Sequence, residues 1–469
     1  MSAVGGDERT GEGREPRTIG LIGYAAYLPR YRVAGTEIGL RRGDRVVAGF
    51  DEDSTTMAVA AAGAIPGVGA AEALYFATTT PAYSDKTNAT AIHAALGMPE
   101  EAFAVDFGAS ARSGLGAVFS AARTGGLAVS ADVRVGRPGS PDEMFGGDGA
   151  AALLFGTHRR PIADVLGTLS LTEEFLDRWR AQTARTGEQW EERFGVERYA
   201  ALIGSAVERT LVAADLAGVD HVVIACPNNG IVKRAATLVK AGRSVVTSPV
   251  GHSGACDAAL ALCGVLDIAA AGETILVVSA ADGCDTMLLR ATDELPGARQ
   301  PNPVSAQRAG GLPVPRLTYL SWRGLVELEP PRRPGPDRPS GPAAGRSTRW
   351  KFGLSGSRCS DCGFAHLPPN RVCKGCGAID SMRSLTVAGL RGSVATYTVD
   401  HLAYSPSPPV VQVVVDVAGG GRLTCEAADV DPERIQVGSA VEFTFRCLFI
   451  SGAVHNYFWK ARLCGSGDG

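Results

Sequence analysis

The sequence predicts a layered α/β domain followed by a small metal-binding ribbon and an all-β barrel. Three observations support this division. Apolar segments typical of buried strands alternate with alanine-rich helical segments from about residue 18 to residue 293. Four cysteines then fall within the stretch "CSDCGFAHLPPNRVCKGC". The segments after these cysteines alternate apolar and polar residues, as the short strands of a barrel do.

The α/β part contains two runs of strand–turn–helix units. In the first run, strands are predicted in "TIGLIGYAAYLP", "AEALYFATTT" and "FAVDFGAS", and Ser54 and Thr55 are candidate caps for the helix in "DSTTMAVAAAGAI". A polar helical region is predicted from about Leu171 to Gly218. The second run follows in "HVVIACPNN", "IVKRAATLVKAG" and "GHSGACDAALALCGVLDIAAAG", and the two runs suggest an internal duplication.

Composition removes several classes of function from consideration. Lysine and arginine total 46 against 49 aspartates and glutamates, and this net charge of −3 gives no reason to expect a nucleic-acid partner. There is no run of about 18 apolar residues that would span a membrane. The first residues are polar and lack the apolar core of a secretory signal. Because most cysteines outside the four-cysteine stretch are scattered in apolar contexts, we expect a reducing, cytoplasmic location.

Two C-x2-C pairs, separated by ten residues, predict a structural zinc site. The ligands would be Cys359, Cys362, Cys373 and Cys376. Four thiolates leave no open position for water or substrate, so no catalysis is expected there. Iron in a rubredoxin-like site is the main alternative. His366, inside the loop, is expected at the surface rather than as a ligand.

The order and spacing of several motifs resemble a known superfamily. The stretches "IGLIGYAAYLPRYRV", "FDEDSTTMAVAAA", "ALYFATTTPAYSDKTNATAIHAALG", "FGGDGAAALLFG" and "WEERFGVERYAALIGSAV" are together similar to thiolases, most closely to the 3-hydroxy-3-methylglutaryl-CoA synthase branch. The stretches "GSVATYTVDH" and "DVDPERIQVGSAVEFTF" resemble the zinc-ribbon and OB-fold proteins that partner thiolases. The resemblance implies duplicated thiolase-like αβαβα layers, a C-terminal OB-fold barrel and a homodimer.

These expectations divide the chain into six parts. They are a disordered tail at 1–17, thiolase-like halves at 18–170 and 171–329 (the second with a helical insertion), a Pro/Arg-rich linker at 330–347, a zinc ribbon at 348–380 and an OB-fold at 381–469.

The resemblance implies a catalytic cysteine, glutamate, histidine and asparagine, and none of the four is present. Matched through neighbouring motif residues, the cysteine position falls on Ala111 and the glutamate position on Thr79. The histidine position falls on Cys226 and the asparagine position on His252. Because a thiol and an imidazole can form a thiolate–imidazolium pair, we expect Cys226 and His252 to act as a relocated catalytic pair.

Four further residues are weaker candidates. A one-residue slip in the alignment would make Ser110 a nucleophile, and Tyr83 is a candidate acid. Lys233 and Arg234 are candidates for contacting the phosphates of CoA.

Three hypotheses about function follow. The first is an acyltransferase or condensing enzyme acting on acyl-CoA or carrier-protein thioesters in a biosynthetic pathway. The second is an aldolase or retro-aldolase that acts on a CoA thioester without a covalent intermediate, since such a step needs only a base and an oxyanion hole. The third is a catalytically inactive scaffold that channels substrate. In each case zinc is structural, the substrate is an acyl-CoA or acyl-carrier-protein thioester, and neither nucleic acid nor membrane is a partner.

Overall fold

A computed structural model describes residues 19–329, 332–333 and 341–464. The predicted tail at 1–17 and part of the predicted linker at 330–347 lie outside these ranges. Within them, no helix combines the length and apolar character that crossing a bilayer requires.

The first and largest unit is built from fifteen strands and nine α-helices among the described residues. Its strands are β1 (Gly20–Tyr27), β2 (Tyr31–Ala34), β3 (Asp44–Val47), β4 (Ala73–Thr78), β5 (Phe103–Gly108), β6 (Gly126–Asp132), β7 (Gly149–Gly156), β8 (Ala163–Thr172), β9 (Arg178–Trp179), β10 (Glu188–Gln189), β11 (His221–Ala225), β12 (Ser244–Val246), β13 (Thr274–Ser279), β14 (Gly283–Ala291) and β15 (Leu312–Pro313). Its helices are α1 (Ser54–Gly63), α2 (Ala89–Leu96), α3 (Ser113–Thr124), α4 (Pro141–Phe145), α5 (Glu192–Ala213), α6 (Asn229–Leu238), α7 (Asp257–Leu266), α8 (Val304–Ala309) and α9 (Arg316–Trp322).

A ten-stranded sheet shows the internal duplication directly. Its order is β12-β11-β13-β14-β8-β1-β7-β6-β4-β5. The two halves meet where Leu21 of β1 pairs with Ala163 of β8. Outward from this point, each half has the same arrangement of two antiparallel strands followed by three parallel ones. This is the arrangement that the predicted duplication of α/β layers implies.

Three layers of helices cover the two faces of this sheet, which gives five layers when its two halves are counted. Helices α1 and α2 cover one face of the first half, α5 and α6 cover the second half, and α3 packs against α7 between the halves. Asp53 begins α1 with a capping box, since its carboxylate accepts from the N–H of Thr56 at 2.9 Å. The rest of α1 is apolar on all sides and buried, because the C-terminal barrel covers its outer face.

The predicted helical insertion is wrong between residues 173 and 191. Strand β8 runs to Thr172, a hairpin of β9 and β10 follows, and helix begins only at Glu192. The hairpin is held by a contact with a residue far away in sequence, which composition does not reveal: the Arg178 guanidinium donates to both carboxylate oxygens of Asp142 at 2.8 Å.

The C-terminal part comprises the ribbon and a five-stranded barrel. Two short helices, α10 (Gly341–Arg346) and α11 (Thr348–Lys351), precede ribbon strands β16 (Ser355–Cys359), β17 (Ala365–His366) and β18 (Met382–Thr386). The barrel strands are β19 (Gly392–Asp400), β20 (Val410–Val417), β21 (Arg422–Glu426), β22 (Ala440–Ser451) and β23 (Val454–Leu463), in the order β21-β20-β19-β22-β23. A bridge between Ala427 and Ala461 brings the two outer strands together.

Buried charges join the barrel to the α/β unit. The Arg446 guanidinium lies 2.8 Å from Glu52 of the α/β unit and 2.6 Å from Asp429 of the barrel. Nearby, the hydroxyl of Tyr457 donates to Asp53 at 2.6 Å, and the His455 ring lies 2.9 Å from the same carboxylate oxygen. The barrel is therefore held against the start of α1 by polar contacts as well as by packing.

Candidate active site

A cavity of about 110 Å³ opens where several strands of the first half end. Thr79 and Thr80 follow β4, Ala111 follows β5, and Arg134 follows β6, and all four line it. His252 reaches the same cavity from the second half. We call this the Ala111 cavity, because it is the place where the nucleophile position falls.

The start of helix α3 makes an unusually close approach to the second half. A Cβ added to Gly114 would lie 1.9 Å from the carbonyl oxygen of Ala255, so only glycine fits there. Just before the helix, Ala109 has a φ of 84°, a conformation that costs a non-glycine residue energy. On the other side, Asp132 accepts from the N–H of Ala255 at 2.6 Å and from that of Thr79 at 2.7 Å. These contacts lock the walls of the Ala111 cavity together.

His252 lies between the Ala111 cavity and a second, smaller one. Both cavities are lined by this residue. Its Nδ1 lies 3.2 Å from a carboxylate oxygen of Asp257, and its backbone N–H donates to Phe145 at 2.8 Å. Burial lowers the pKa of His252, the hydrogen bond to Asp257 acts in the opposite direction, and the nearby charges of Arg134 and Arg178 lower it further. The imidazole is therefore kept neutral, which is the form that accepts a proton.

Cys226 lines only the second cavity, of about 40 Å³. It directly follows β11 and is 1% exposed. Burial raises the pKa of this thiol well above its ordinary value, and the charges of Asp177 and Asp257 raise it further. Within the described residues, Cys226 and His252 share no hydrogen bond. The structure thus brings both residues to one cavity without pairing them.

Four arginines that the sequence motifs do not single out line the candidate site. Arg178, Arg180 and Arg185, on and around the hairpin, line the Ala111 cavity together with Arg134. Arg178 is paired with Asp142. Burial alone would raise the pKa of Asp142, but the hydrogen bonds and charge of Arg178 dominate and lower it to about 2. The stretch "DRWRAQTARTG" contains the hairpin arginines. Because this stretch is predicted to be helical, the sequence does not reveal that these arginines line one cavity.

The remaining predicted residues lie in different places. Ser110 lines the Ala111 cavity, and within the described residues its hydroxyl forms no hydrogen bond with a histidine or a carboxylate. Tyr83 lines neither cavity; its hydroxyl accepts from the N–H of His455 at 2.8 Å, so it belongs to the junction with the barrel. Lys233 is exposed, with its ammonium 5.1 Å from the ring centre of Phe145, and Arg234 is exposed beside it.

The four ribbon cysteines form a cluster that fits a tetrahedral metal ion. Their sulfur atoms all lie within 4.8 Å of one another, with Cys359 and Cys376 3.7 Å apart and Cys362 and Cys373 3.5 Å apart. Ligands about 2.3 Å from one zinc ion would have similar separations. His366 is not at the surface, as the sequence suggested, but 2% exposed with its ring 4.8 Å from that of Phe364.

Comparison with known proteins agrees with both parts of the fold. Residues 353–379 match the family described as ChsH2, rubredoxin-like zinc ribbon domain, and residues 386–446 match ChsH2, C-terminal OB-fold domain. Hydroxymethylglutaryl-CoA synthase of Methanopyrus kandleri is 29% identical over 322 residues, which cover 61% of this chain and 91% of the relative. The enzyme of the same name from Archaeoglobus fulgidus is 28% identical over 311 residues, which cover 59% of this chain and 90% of the relative.

The chain is similar to hydroxymethylglutaryl-CoA synthases and carries a ChsH2-type zinc ribbon and OB-fold. This confirms the resemblance predicted from the sequence motifs, and the zinc-ribbon match with the cysteine cluster supports a structural zinc site.

Solved structures support the same fold at lower identity. An HMG-CoA synthase complexed with CoA superposes with a TM-score of 0.57 and 16% identity, covering 67% of this chain and 91% of that one. FabH, 3-oxoacyl-(acyl carrier protein) synthase III from Pseudomonas aeruginosa, superposes with a TM-score of 0.51 and 20% identity. The match covers 59% of this chain and 98% of that one.

Proposed function

We propose that the protein makes or breaks a carbon–carbon bond in an acyl thioester, with His252 as the base and without a covalent intermediate on cysteine. The position of His252 carries this proposal. It lines both cavities and is oriented by Asp257 at 3.2 Å, leaving Nε2 without a hydrogen-bond partner among the described residues. The curated relatives named hydroxymethylglutaryl-CoA synthase support a thioester substrate.

The proposed chemistry needs only a proton carrier and positive charge. In the forward direction, Nε2 of His252 takes a proton from the carbon next to the thioester carbonyl. The electron pair of that C–H bond forms an enolate, which attacks a second carbonyl carbon and makes the new C–C bond. The resulting alkoxide recovers the proton from the imidazolium, so the step is balanced without an oxidant or reductant. The positive charge of Arg134, together with that of Arg178, which Asp142 partly offsets, stabilises the enolate and the alkoxide.

Acyl transfer through Cys226 is the second candidate function, because this thiol shares a cavity with His252. A nucleophilic thiolate requires nearby positive charge. Burial and two carboxylates instead raise the pKa of Cys226. We therefore place this route behind the non-covalent one.

One set of measurements separates these functions. The purified protein is incubated with a panel of acyl-CoA and acyl-carrier-protein thioesters, weighed intact, and assayed for turnover with aldehyde or ketone acceptors. The non-covalent route predicts no adduct and turnover that falls at least 100-fold in His252→Ala but not in His401→Ala, a change of an exposed barrel residue. An adduct that disappears in Cys226→Ala, but not in Cys263→Ala, would establish acyl transfer instead. Neither adduct nor turnover with any thioester would favour a scaffold.

We also propose that the protein is a homodimer. Strand β5 forms an edge of the ten-stranded sheet, with Phe103 60% exposed, and an unpaired edge strand is able to pair with a second copy. Light scattering after size-exclusion chromatography tests this. A monomeric mass at micromolar concentration would refute it.

A further inference from the structure

Two arginines converge on one residue of the Ala111 cavity. The Arg134 guanidinium donates to the hydroxyl oxygen of Thr79 at 3.0 Å, and the Arg180 guanidinium donates to the backbone oxygen of the same residue. A third, Arg185, lines the same cavity and donates to the backbone oxygen of Arg323. Neutral oxygens satisfy part of the hydrogen-bonding capacity of these groups, and the carboxylates of Asp132 and Asp142, which lie beyond ion-pair distance, offset part of the charge of Arg134.

Two of the three carboxylates around this cavity are committed to other partners. Asp132 accepts from Thr79 and from the N–H of Ala255, and Asp142 is bound by Arg178. Asp282 also lines the cavity. Among the described residues, no carboxylate lies within ion-pair distance of Arg134, Arg180 or Arg185. Arg134 is half-buried, whereas Arg180 and Arg185 are exposed, so an anion that joins them would make charge-assisted contacts with these groups and would offset the cost of burial at Arg134.

The backbone of Arg134 is fixed, so its side chain is presented to the cavity in a defined place. Its N–H donates to Asp148 at 2.7 Å, and its carbonyl accepts from the buried Arg45 at 2.7 Å. Planar guanidinium groups held in this way match the geometry of a carboxylate and bind it through paired hydrogen bonds.

We propose that Arg134 and Arg180 bind a free carboxylate carried by the acyl group, so that thioesters of dicarboxylic acids are preferred over neutral thioesters of equal length. The thioester part of this statement rests on the proposed function. The placement favours the acyl group over the nucleotide as the source of the anion, because both arginines meet at Thr79, in the cavity that also holds Ala111 and His252. An anion there lies beside the reacting carbon.

Binding measured without turnover tests this proposal. In the His252→Ala protein, calorimetry compares succinyl-pantetheine with butyryl-pantetheine, which have equal chain lengths and no nucleotide phosphates. We expect succinyl-pantetheine to bind about 10–100-fold more tightly, as charge-assisted hydrogen bonds allow. This preference should be lost in Arg134→Gln and in Arg180→Gln. It should persist in Arg137→Gln, which changes an exposed arginine outside the cavity. Circular dichroism shows whether each variant is folded. If one of the two cavity variants fails to fold, the binding preference of the other tests the proposal.

The alternatives give different results. If the arginines bind CoA phosphates, both variants weaken succinyl-CoA and butyryl-CoA equally and leave the pantetheine thioesters unchanged, which overturns the proposal. Equal binding of the two pantetheine thioesters to the unsubstituted site overturns it as well. If neither thioester binds, the proposed function fails, and succinate itself still tests the anion site: binding that Arg180→Gln abolishes supports the site, and no binding refutes it.

Discussion

Substituting Gly114 by alanine should damage the candidate site more than the fold. The new Cβ would lie 1.9 Å from the carbonyl oxygen of Ala255, whereas real contacts of this kind are at least 3.0 Å long. Helix α3 and the turn at Gly254–Cys256 must therefore separate by about 1.1 Å. Asp257 directly follows that turn and orients His252. A displacement of about 1 Å at a reacting group costs on the order of 100-fold in rate, while overpacking costs about 1–3 kcal/mol of stability.

The matched control is Gly116→Ala in the same helix. There the nearest atom to an added Cβ is in the Phe107 ring at 3.4 Å, an ordinary contact with a side chain. Alanine at this position should leave kcat/KM unchanged and stabilise the helix by up to about 1 kcal/mol. Both variants are assayed for thioester turnover and for the free energy of unfolding in urea. If Gly114→Ala retains turnover within twofold and unfolds like Gly116→Ala, the proposed coupling between helix α3 and His252 is refuted.

Four further predictions follow from the charges and the metal cluster. Ala111→Cys should be alkylated by iodoacetamide at neutral pH much faster than Cys226, because the surrounding arginines favour a thiolate; equal rates, followed by peptide mass spectrometry, would contradict this. Arg446→Met leaves three buried carboxylates without their shared partner, so the free energy of unfolding in urea should fall by about 3–5 kcal/mol, and a loss below about 1 kcal/mol would show that the network is not needed. The lowered pKa of His252 keeps the base form at lower pH, so the acidic limb of kcat/KM should lie below pH 6.5, since activity is lost only as pH falls through that pKa; a limb above 6.5 would exclude a neutral base held by these cations. Cys373→Ser should release the bound zinc, as measured by plasma emission, and lower the thermal stability of the ribbon; undiminished metal content would place the zinc elsewhere.

The parts of the fold that could be predicted depend on local patterns. Buried strands such as β11 and β13 are continuous apolar runs, and the spacing of Cys359, Cys362, Cys373 and Cys376 is sufficient to predict a shared metal site. Residues 173–191 were assigned wrongly because their structure depends on distant partners. The Arg178–Asp142 pair spans 36 residues, and no periodicity within the segment reveals it.

The candidate site shows the same limit. Motif spacing selected Thr79, Ala111 and His252, and all three line the Ala111 cavity. The arginines that give this cavity its charge come from the end of β6 and from the hairpin, and only the folded chain brings them together. Tyr83 is a catalytic candidate in the sequence but contacts the barrel in the structure. Its partner His455 is distant in sequence, so no local pattern reveals this contact.

The distribution of charge argues against both a catalytic cysteine and a site without function. An enzyme that uses a thiolate needs its cations near the sulfur, yet Cys226, which lines the smaller cavity, lies among carboxylates that raise its pKa. The cations instead surround Ala111, where no sulfur is present. Arg134 is half-buried and forms no ion pair among the described residues, so a pocket without function would gain stability if this arginine were replaced. The half-buried charge of Arg134 is explained if the negative charge that it stabilises belongs to the substrate, as the proposed carboxylate site requires.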